Sequence, residues 1–372
     1  MPPLCLSIHA LWQCRHAGAC CQAGWAIPVE APTFERLQVH FRGHATGRFD
    51  LAGPLPEGAA ALLNTTADGT CLFYEGRSCA IHRELGPLAL PVACQQFPRK
   101  VLRDGRGTFV ALSHFCPTAA GLLLGAGRLD VVEAPASLTL NGALEGLDAT
   151  NVLPPLLKPG LLTDLEGYAE WERQAICVFD SDRWSVDTAL GRIEAATWML
   201  GQWSPCEGSL RDAAAAAFSA GEALVGPADD VRRYRLAAGA VPAGLSAPQL
   251  PADVDLAGGF LASWMPASDR VVRAYLASHL FGNWIAYYAA GLQTVVEYLR
   301  VCLSVLTIEI ARQHQAAPDA PREQLLLEAL RQADLLMVHL VDPRSLAHSI
   351  EHDQQFRART LPPLRRNRYS LG

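Results

Sequence analysis

The cysteines of this chain are concentrated in its N-terminal third. Eight of the 11 cysteines lie within the first 116 of 372 residues, and the other three stand singly in apolar surroundings, where a thiol is an ordinary small hydrophobe. The eight are Cys5, Cys14, Cys20, Cys21, Cys71, Cys79, Cys94 and Cys116, and the three are Cys177, Cys206 and Cys302. This asymmetry predicts a cysteine-rich N-terminal module followed by a module of different character.

The composition excludes several classes of protein. Half of the residues are hydrophobic and 18% are charged, which excludes a disordered chain. A net charge of −6 argues against nucleic-acid binding, which needs a basic surface. The first residues, MPPLCLSIHALWQC, lack a basic segment followed by a long apolar run, so we expect no signal peptide and a cytoplasmic location. Disulfides are rare in that compartment, so the thiols need another explanation.

Seven of the N-terminal cysteines form ordered groups that indicate soft-metal ligation. The groups are Cys14-x5-Cys20-Cys21, Cys71-x7-Cys79, Cys94 and Cys116-Pro117. Thiolates select zinc, copper(I) or iron–sulfur clusters, and four are enough for one zinc ion or one cubane. The chain has no CxxC pair, which a zinc ribbon requires, so the irregular spacing favours a cluster, of the 4Fe–4S type, over zinc. Inert buried cysteines and a disulfide framework are the alternatives, and the true ligands among the seven stay open.

A hairpin is predicted between two of these cysteines. Residues 99–103 and 108–114 flank an Asp-Gly pair, which is typical of a tight turn between two strands. Cys94 lies just before the first strand and Cys116 just after the second, so the hairpin brings them towards one end. Thr118 is the predicted N-cap of the apolar helix that follows.

The sequence pattern of the C-terminal two thirds of the chain predicts helices. The most apolar segment, residues 284–310, contains Glu297 and Arg300, and these charges favour a buried core helix over a membrane span. The predicted fold class is therefore mainly α, with a small α+β cysteine-rich N-terminal module and a helical C-terminal module. The predicted boundaries are 1–133 for the cysteine-cluster module, 134–165 for a linker, 166–356 for the helical domain and 357–372 for a basic tail.

Four N-terminal segments resemble a known family. They read WQCRHAGACCQAGW, TCLFYEGRSCAIHRELG, LPVACQQFPRKV and LSHFCPTAAGLLL. They resemble the zinc- or iron-chelating cysteine-cluster proteins, and their order is most similar to the flagellin lysine-N-methylase family. The family commonly has one more cysteine between Cys14 and Cys20. His16 is the candidate replacement ligand there, and an exposed loop histidine is the alternative.

The resemblance implies an enzyme that uses S-adenosylmethionine to methylate lysine ε-amines of flagellin or another surface protein. Methyl transfer needs a neutral amine, so a base must take up the lysine proton, and His82 and His114 are the weak candidates. The residues Leu124-Gly125-Ala126-Gly127 end a predicted helix instead of opening one, so the cofactor site stays unassigned. The alternative function is a metal-binding or electron-transfer protein without methyl-transfer activity.

Overall fold

The chain divides into two compact units in the computed structural model. The first unit contains residues 1–101 and 107–147, and the second contains residues 102–106 and 148–372. The structure describes residues 2–42, 47–52, 55–125, 127–138, 145–220, 222–223, 229–245, 248–250 and 259–360. Most of the predicted basic tail, residues 361–372, and residues 139–144 of the predicted linker therefore lie outside the described residues. The chain is mainly α with some β structure, and that part of the predicted fold class is confirmed.

Short strands and helices alternate through residue 148. The strands are β1 (Leu4–Leu6), β2 (Ile27–Glu30), β3 (Phe49–Asp50), β4 (Ala59–Leu63), β5 (Arg99–Asp104), β6 (Gly107–Leu112), β7 (Val131–Glu133) and β8 (Leu147–Asp148). The helices are α1 (Ser7–Ala10), α2 (Ala31–His40), α3 (Ala80–Leu85), α4 (Val92–Gln96) and α5 (Pro117–Leu124). None of these elements is long, so their stability depends on packing more than on intrinsic propensity.

Two sheets organise the N-terminal elements. One has three antiparallel strands in the order β2-β4-β3, and the other has five in the order β7-β1-β6-β5-β8. Strands β5 and β6 are hydrogen-bonded neighbours, so the predicted hairpin is confirmed. Described residues of the first unit form an apolar cluster around Phe73 and Ile81 and another around Val110 and Leu112. Cys71 belongs to the first cluster, and Cys5 and Cys116 belong to the second, so packing fixes the positions of these thiols.

The second unit is built mainly of helices. They are α6 (Leu165–Asp180), α7 (Val186–Leu200), α8 (Leu210–Ala220), α9 (Asp230–Gly239), α10 (Gly259–Leu280), α11 (Leu292–Ala316), α12 (Arg322–Asp334) and α13 (Pro343–Thr360). Strands β9 (Leu156–Lys158) and β10 (Leu161–Leu162) form a small hairpin ahead of α6. A π-helical segment, Leu335–Leu340, directly follows α12. Helix α11 packs against α7, α9, α10, α12 and α13, and it is the central element of this unit.

Helix α11 is the core helix that the apolar segment predicted. It is buried along most of its length. Glu309 pairs with Arg312 within the helix, whereas Glu297 and Arg300 pair with neighbouring helices. Glu297 accepts hydrogen bonds from Arg232 and Arg233 of α9, and Arg300 pairs with Glu194 of α7. Within the described part of the chain, none of the helices combines the length and the apolarity that crossing a bilayer requires.

A buried ion network lies in the second unit. The Arg106 guanidinium donates to Asp104 at 2.8 Å and to Glu172 at 3.0 Å, and it lies over the Tyr168 ring at 4.4 Å. Tyr287 donates its hydroxyl to Asp104 at 2.5 Å. Two carboxylates thus share one guanidinium away from water, and burial raises the pKa of Glu172. Arg106 therefore supplies the charge that makes burial of both acids tolerable.

We expect Arg106→Met to lower the free energy of unfolding by about 3–5 kcal/mol, because it leaves two buried carboxylates without a cation. Urea denaturation at neutral pH measures the change. The matched control is Arg183→Met, at an exposed position of the same unit, with a change below about 0.5 kcal/mol. Equal effects of the two substitutions would contradict the assigned role of Arg106.

Candidate metal centre

One cavity in the first unit collects all seven thiols of the predicted metal site. Its volume is about 440 Å³. Its lining includes Cys14, Cys20, Cys21, Cys71, Cys79, Cys94 and Cys116. Cys5 is buried in the cluster around Val110 and does not line this cavity, and the three remaining cysteines belong to the second unit. The fold therefore brings together side chains that are up to about a hundred positions apart in sequence.

A tight turn presents the adjacent pair Cys20 and Cys21. The pair ends a single 3₁₀ turn, Ala19–Cys21, that starts after Gly18 at a φ of 76°. A Cβ at position 18 would lie 2.4 Å from the Tyr74 hydroxyl oxygen, so both the backbone angle and the close approach of Tyr74 require glycine. The Cys71 amide donates to the Cys21 carbonyl at 2.7 Å, which joins the second cysteine segment to the first.

The other thiols lie at or in short helices. Cys79 and Cys116 occupy the N-cap positions of α3 and α5, and Cys94 lies in α4. The prediction that Thr118 caps α5 is wrong, because Pro117 takes the first helical position and moves the cap back to Cys116. Unpaired amides at a helix N-terminus favour a negative sulfur over a neutral one.

Contacts between sulfurs set the protonation of the thiols. The Sγ atoms of Cys20 and Cys21 are 3.9 Å apart. A hydrogen bond with Cys21 lowers the pKa of Cys20 and lowers the pKa of Cys79 to about 7. The same two contacts raise the pKa of Cys21, which keeps its proton and donates it. Burial raises the pKa of Cys94 well above its usual range.

The sulfurs of the cavity are spaced more widely than the ligands of a tetrahedral zinc ion. A tetrahedral zinc ion with Zn–S bonds of about 2.3 Å holds its sulfurs only ~3.8 Å apart. Among the described residues, no three of the seven sulfurs lie within 4.8 Å of one another. In a cubane each thiolate binds a different iron, which spreads the ligands. Seven thiols around a cavity of about 440 Å³ are more than enough donors for one iron–sulfur cluster.

His16 and His82 share the wall of this cavity. Their ring centroids are 4.4 Å apart, and both rings also line an adjoining cavity of about 400 Å³. His16 adopts a φ of 55°, which is uncommon for a residue with a side chain. Burial, and the charge of His16, lower the pKa of His82, so its imidazole is neutral at pH 7 and can accept a proton.

His114 is placed differently from His82. It is buried two residues after the end of β6, and its Nε2 atom is 3.4 Å from Nε2 of His9. It is not among the described residues that line the thiol cavity. Of the two candidate bases, only His82 therefore shares a cavity with the cysteines.

Two further residues of the cavity wall were missed by the sequence analysis. Trp12 and Arg99 both line the cavity, and the Arg99 guanidinium lies 4.8 Å from the centroid of the Trp12 ring. Trp12 stands two positions before Cys14, and Arg99 ends the FPR step after Cys94, so closeness in sequence to a cysteine was the available signal. Trp25 does not line the cavity and packs against Phe97 and Phe115.

The second unit contains a buried polar chain that was also missed. His279 bonds through Nδ1 to the Tyr298 hydroxyl at 2.9 Å and through Nε2 to Asp334 at 2.8 Å. The three residues come from α10, α11 and α12, which lie far apart in sequence. Asp334 immediately precedes the π-helical segment. The spacing of these three residues in the sequence did not predict their hydrogen bonds, because only the packing of the three helices brings them together.

No protein-family model, curated protein or solved structure matches this chain significantly. Leu124 is the last residue of α5 and Gly125 is its C-cap, so the glycine pattern starts at a helix end, as predicted. Ala126, the third residue of the pattern, lies outside the described residues.

In the metal-free protein, we expect iodoacetamide at pH 7 to alkylate Cys79 several-fold faster than Cys94. A pKa of about 7 leaves a large thiolate fraction at Cys79, whereas burial keeps the Cys94 thiol protonated. Peptide mass spectrometry over a time course measures both rates. The exposed Cys177 is the internal reference, and equal rates at Cys79 and Cys94 would contradict the proposed sulfur contacts.

Proposed function

We propose that this chain binds an iron–sulfur cluster at its thiol cavity and transfers methyl groups from S-adenosylmethionine to protein lysines. The convergence of seven cysteine side chains on one cavity carries the cluster proposal. The methyl-transfer proposal is supported by the resemblance of the four cysteine segments to flagellin lysine-N-methylases. In the proposed layout, a cysteine-rich α+β module carries the cluster and a helical module completes the protein.

The ligands of the cluster come from the seven thiols. Cys20 and Cys79 are the first candidates, because their pKa values are lowered by hydrogen bonding with Cys21 and metal ligation needs the thiolate. A bound iron–sulfur cluster supplies one-electron chemistry. Buried apolar groups next to the cavity, including Leu90 and Ile81, exclude water from the sulfurs.

His82 is the proposed base for methyl transfer. The substrate lysine must lose a proton before its nitrogen lone pair can attack the sulfonium methyl group. In that step the N–CH₃ bond forms, the S–CH₃ bond breaks, and S-adenosylhomocysteine leaves. The half-buried His82 imidazole lines the cavity, and in its neutral form it can accept the lysine proton. Flagellin or another surface protein, methylated in the cytoplasm before export, is the proposed substrate.

A second candidate function is metal binding or electron transfer without methyl transfer. It is favoured by one observation. Seven thiols line one cavity of the described residues, and they are sufficient for metal binding without a cofactor site. The helical module would then serve as a scaffold for docking a redox partner.

We expect the anaerobically purified protein to contain iron and acid-labile sulfide and to show a visible band that dithionite bleaches. Cys94→Ser and Cys116→Ser should lose most of the iron, because each removes a sulfur from the cavity wall. Cys177→Ser, exposed in the second unit, is the matched control and should keep the iron. A colourless protein with stoichiometric zinc would instead support a structural zinc site.

We expect the purified protein to transfer a labelled methyl group from S-adenosylmethionine to a protein band in flagellated-cell extract. His82→Asn should slow the transfer by about 10²–10⁴-fold, which is the usual contribution of a general base. His40→Asn, at an exposed position of α2, is the control. An iron-loaded protein that labels no band would contradict methyl transfer and leave the electron-transfer function.

A further inference from the structure

Arg99 is a cation in the cavity wall whose charge is not balanced by an acid. Its Nε donates to the Leu138 carbonyl at 2.8 Å, its Nη2 to Ser137 at 2.7 Å and its Nη1 to Gln95 at 2.9 Å. Among the described residues, no carboxylate lies within ion-pair distance of this guanidinium. The one ionisable group there that acts on its charge is the Cys14 thiol.

Backbone carbonyls hold the Arg99 side chain in place but do not neutralise it. They satisfy hydrogen bonds, whereas a half-buried positive charge still favours an anion nearby. The thiol cavity is where such an anion can lie, because Arg99 forms part of its wall together with Cys14 and Cys116.

Trp12 adds an unused hydrogen-bond donor to the same wall. The side chain is only 4% exposed, and within the described residues its indole Nε1 has no hydrogen-bond partner. Leaving a buried N–H without an acceptor costs free energy. A ligand bound in the cavity can supply that acceptor. Indole nitrogen is a donor only, so the missing group must be an acceptor.

We propose that Trp12 and Arg99 form the electropositive wall of the cluster site, position an anionic cluster and raise its reduction potential. The inference rests on the proposed function, because it concerns the same cavity. A cluster with four thiolate ligands is anionic and becomes more negative on reduction. A fixed positive charge and an N–H donor to sulfur both stabilise the reduced form more than the oxidised form.

The test compares the reduction potentials of iron-loaded variants by spectroelectrochemical titration. Arg99→Gln removes the charge, Arg99→Lys keeps the charge but loses the planar fork, and Trp12→Phe removes only the N–H. Arg36→Gln is the control, because exposed Arg36 also donates to a backbone carbonyl, that of Leu88, but does not line the cavity. Iron and sulfide are quantified in every variant.

Arg99→Gln should shift the oxidised-to-reduced equilibrium about tenfold towards the oxidised form, which is 59 mV for one electron. Trp12→Phe should shift it in the same direction by a smaller factor, while Arg99→Lys and Arg36→Gln should keep the wild-type potential. If Arg99→Gln loses its iron, retention of iron by Arg99→Lys supports the role of the charge, and equal loss in both variants overturns it.

Two failures are distinguishable in this experiment. A wild-type protein without iron would overturn the proposed function itself. A wild-type protein with iron whose potential is unchanged in both Arg99→Gln and Trp12→Phe would overturn only the role of the wall.

Discussion

The thiol cavity depends on a backbone hydrogen bond between two segments that are 50 positions apart. The Cys71 amide donates to the Cys21 carbonyl at 2.7 Å, and this bond aligns the Cys20-Cys21 turn with the segment that leads to Cys79. Sulfur contacts between Cys21 and its neighbours then follow. Gly18 makes the arrangement possible, because a side chain there would collide with Tyr74. One backbone hydrogen bond and one glycine thus help to position the cysteine sulfurs of the cavity.

Arg106 in the second unit and Arg99 in the first unit differ in how the protein compensates their charge. In the second unit, Arg106 is paired with Asp104 and Glu172, so its charge is compensated within the protein. In the first unit, Arg99 is held by backbone carbonyls, and among the described residues it has no carboxylate partner. Arg106 forms a compensated buried ion pair, so we assign it a role in stability. Arg99 has an uncompensated positive charge that attracts an anion, so we assign it a role in the site.

Local and periodic features were predictable. The Asp-Gly pair identified the β5–β6 hairpin because its turn chemistry acts over only a few residues. The apolar segment identified α11 as a core helix because its charges ruled out a lipid environment. The predicted cap of α5, Thr118, lies two positions after the observed cap, Cys116. The prediction did not take into account that proline favours the first helical position, which Pro117 occupies.

The site was predictable only in part, because local sequence patterns specify residue chemistry but not contacts between distant segments. Seven cysteines could be singled out from their spacing, and the soft-metal chemistry follows from thiolates themselves. The sequence alone thus determined the donor type, the core helix and the hairpin, because these depend on residue chemistry and short-range pattern. Only the tertiary structure decided that the seven thiols share one cavity without Cys5, that His82 and not His114 lies in its wall, and that Trp12 and Arg99 complete it. Those choices depend on packing between segments far apart along the chain, which no local pattern encodes.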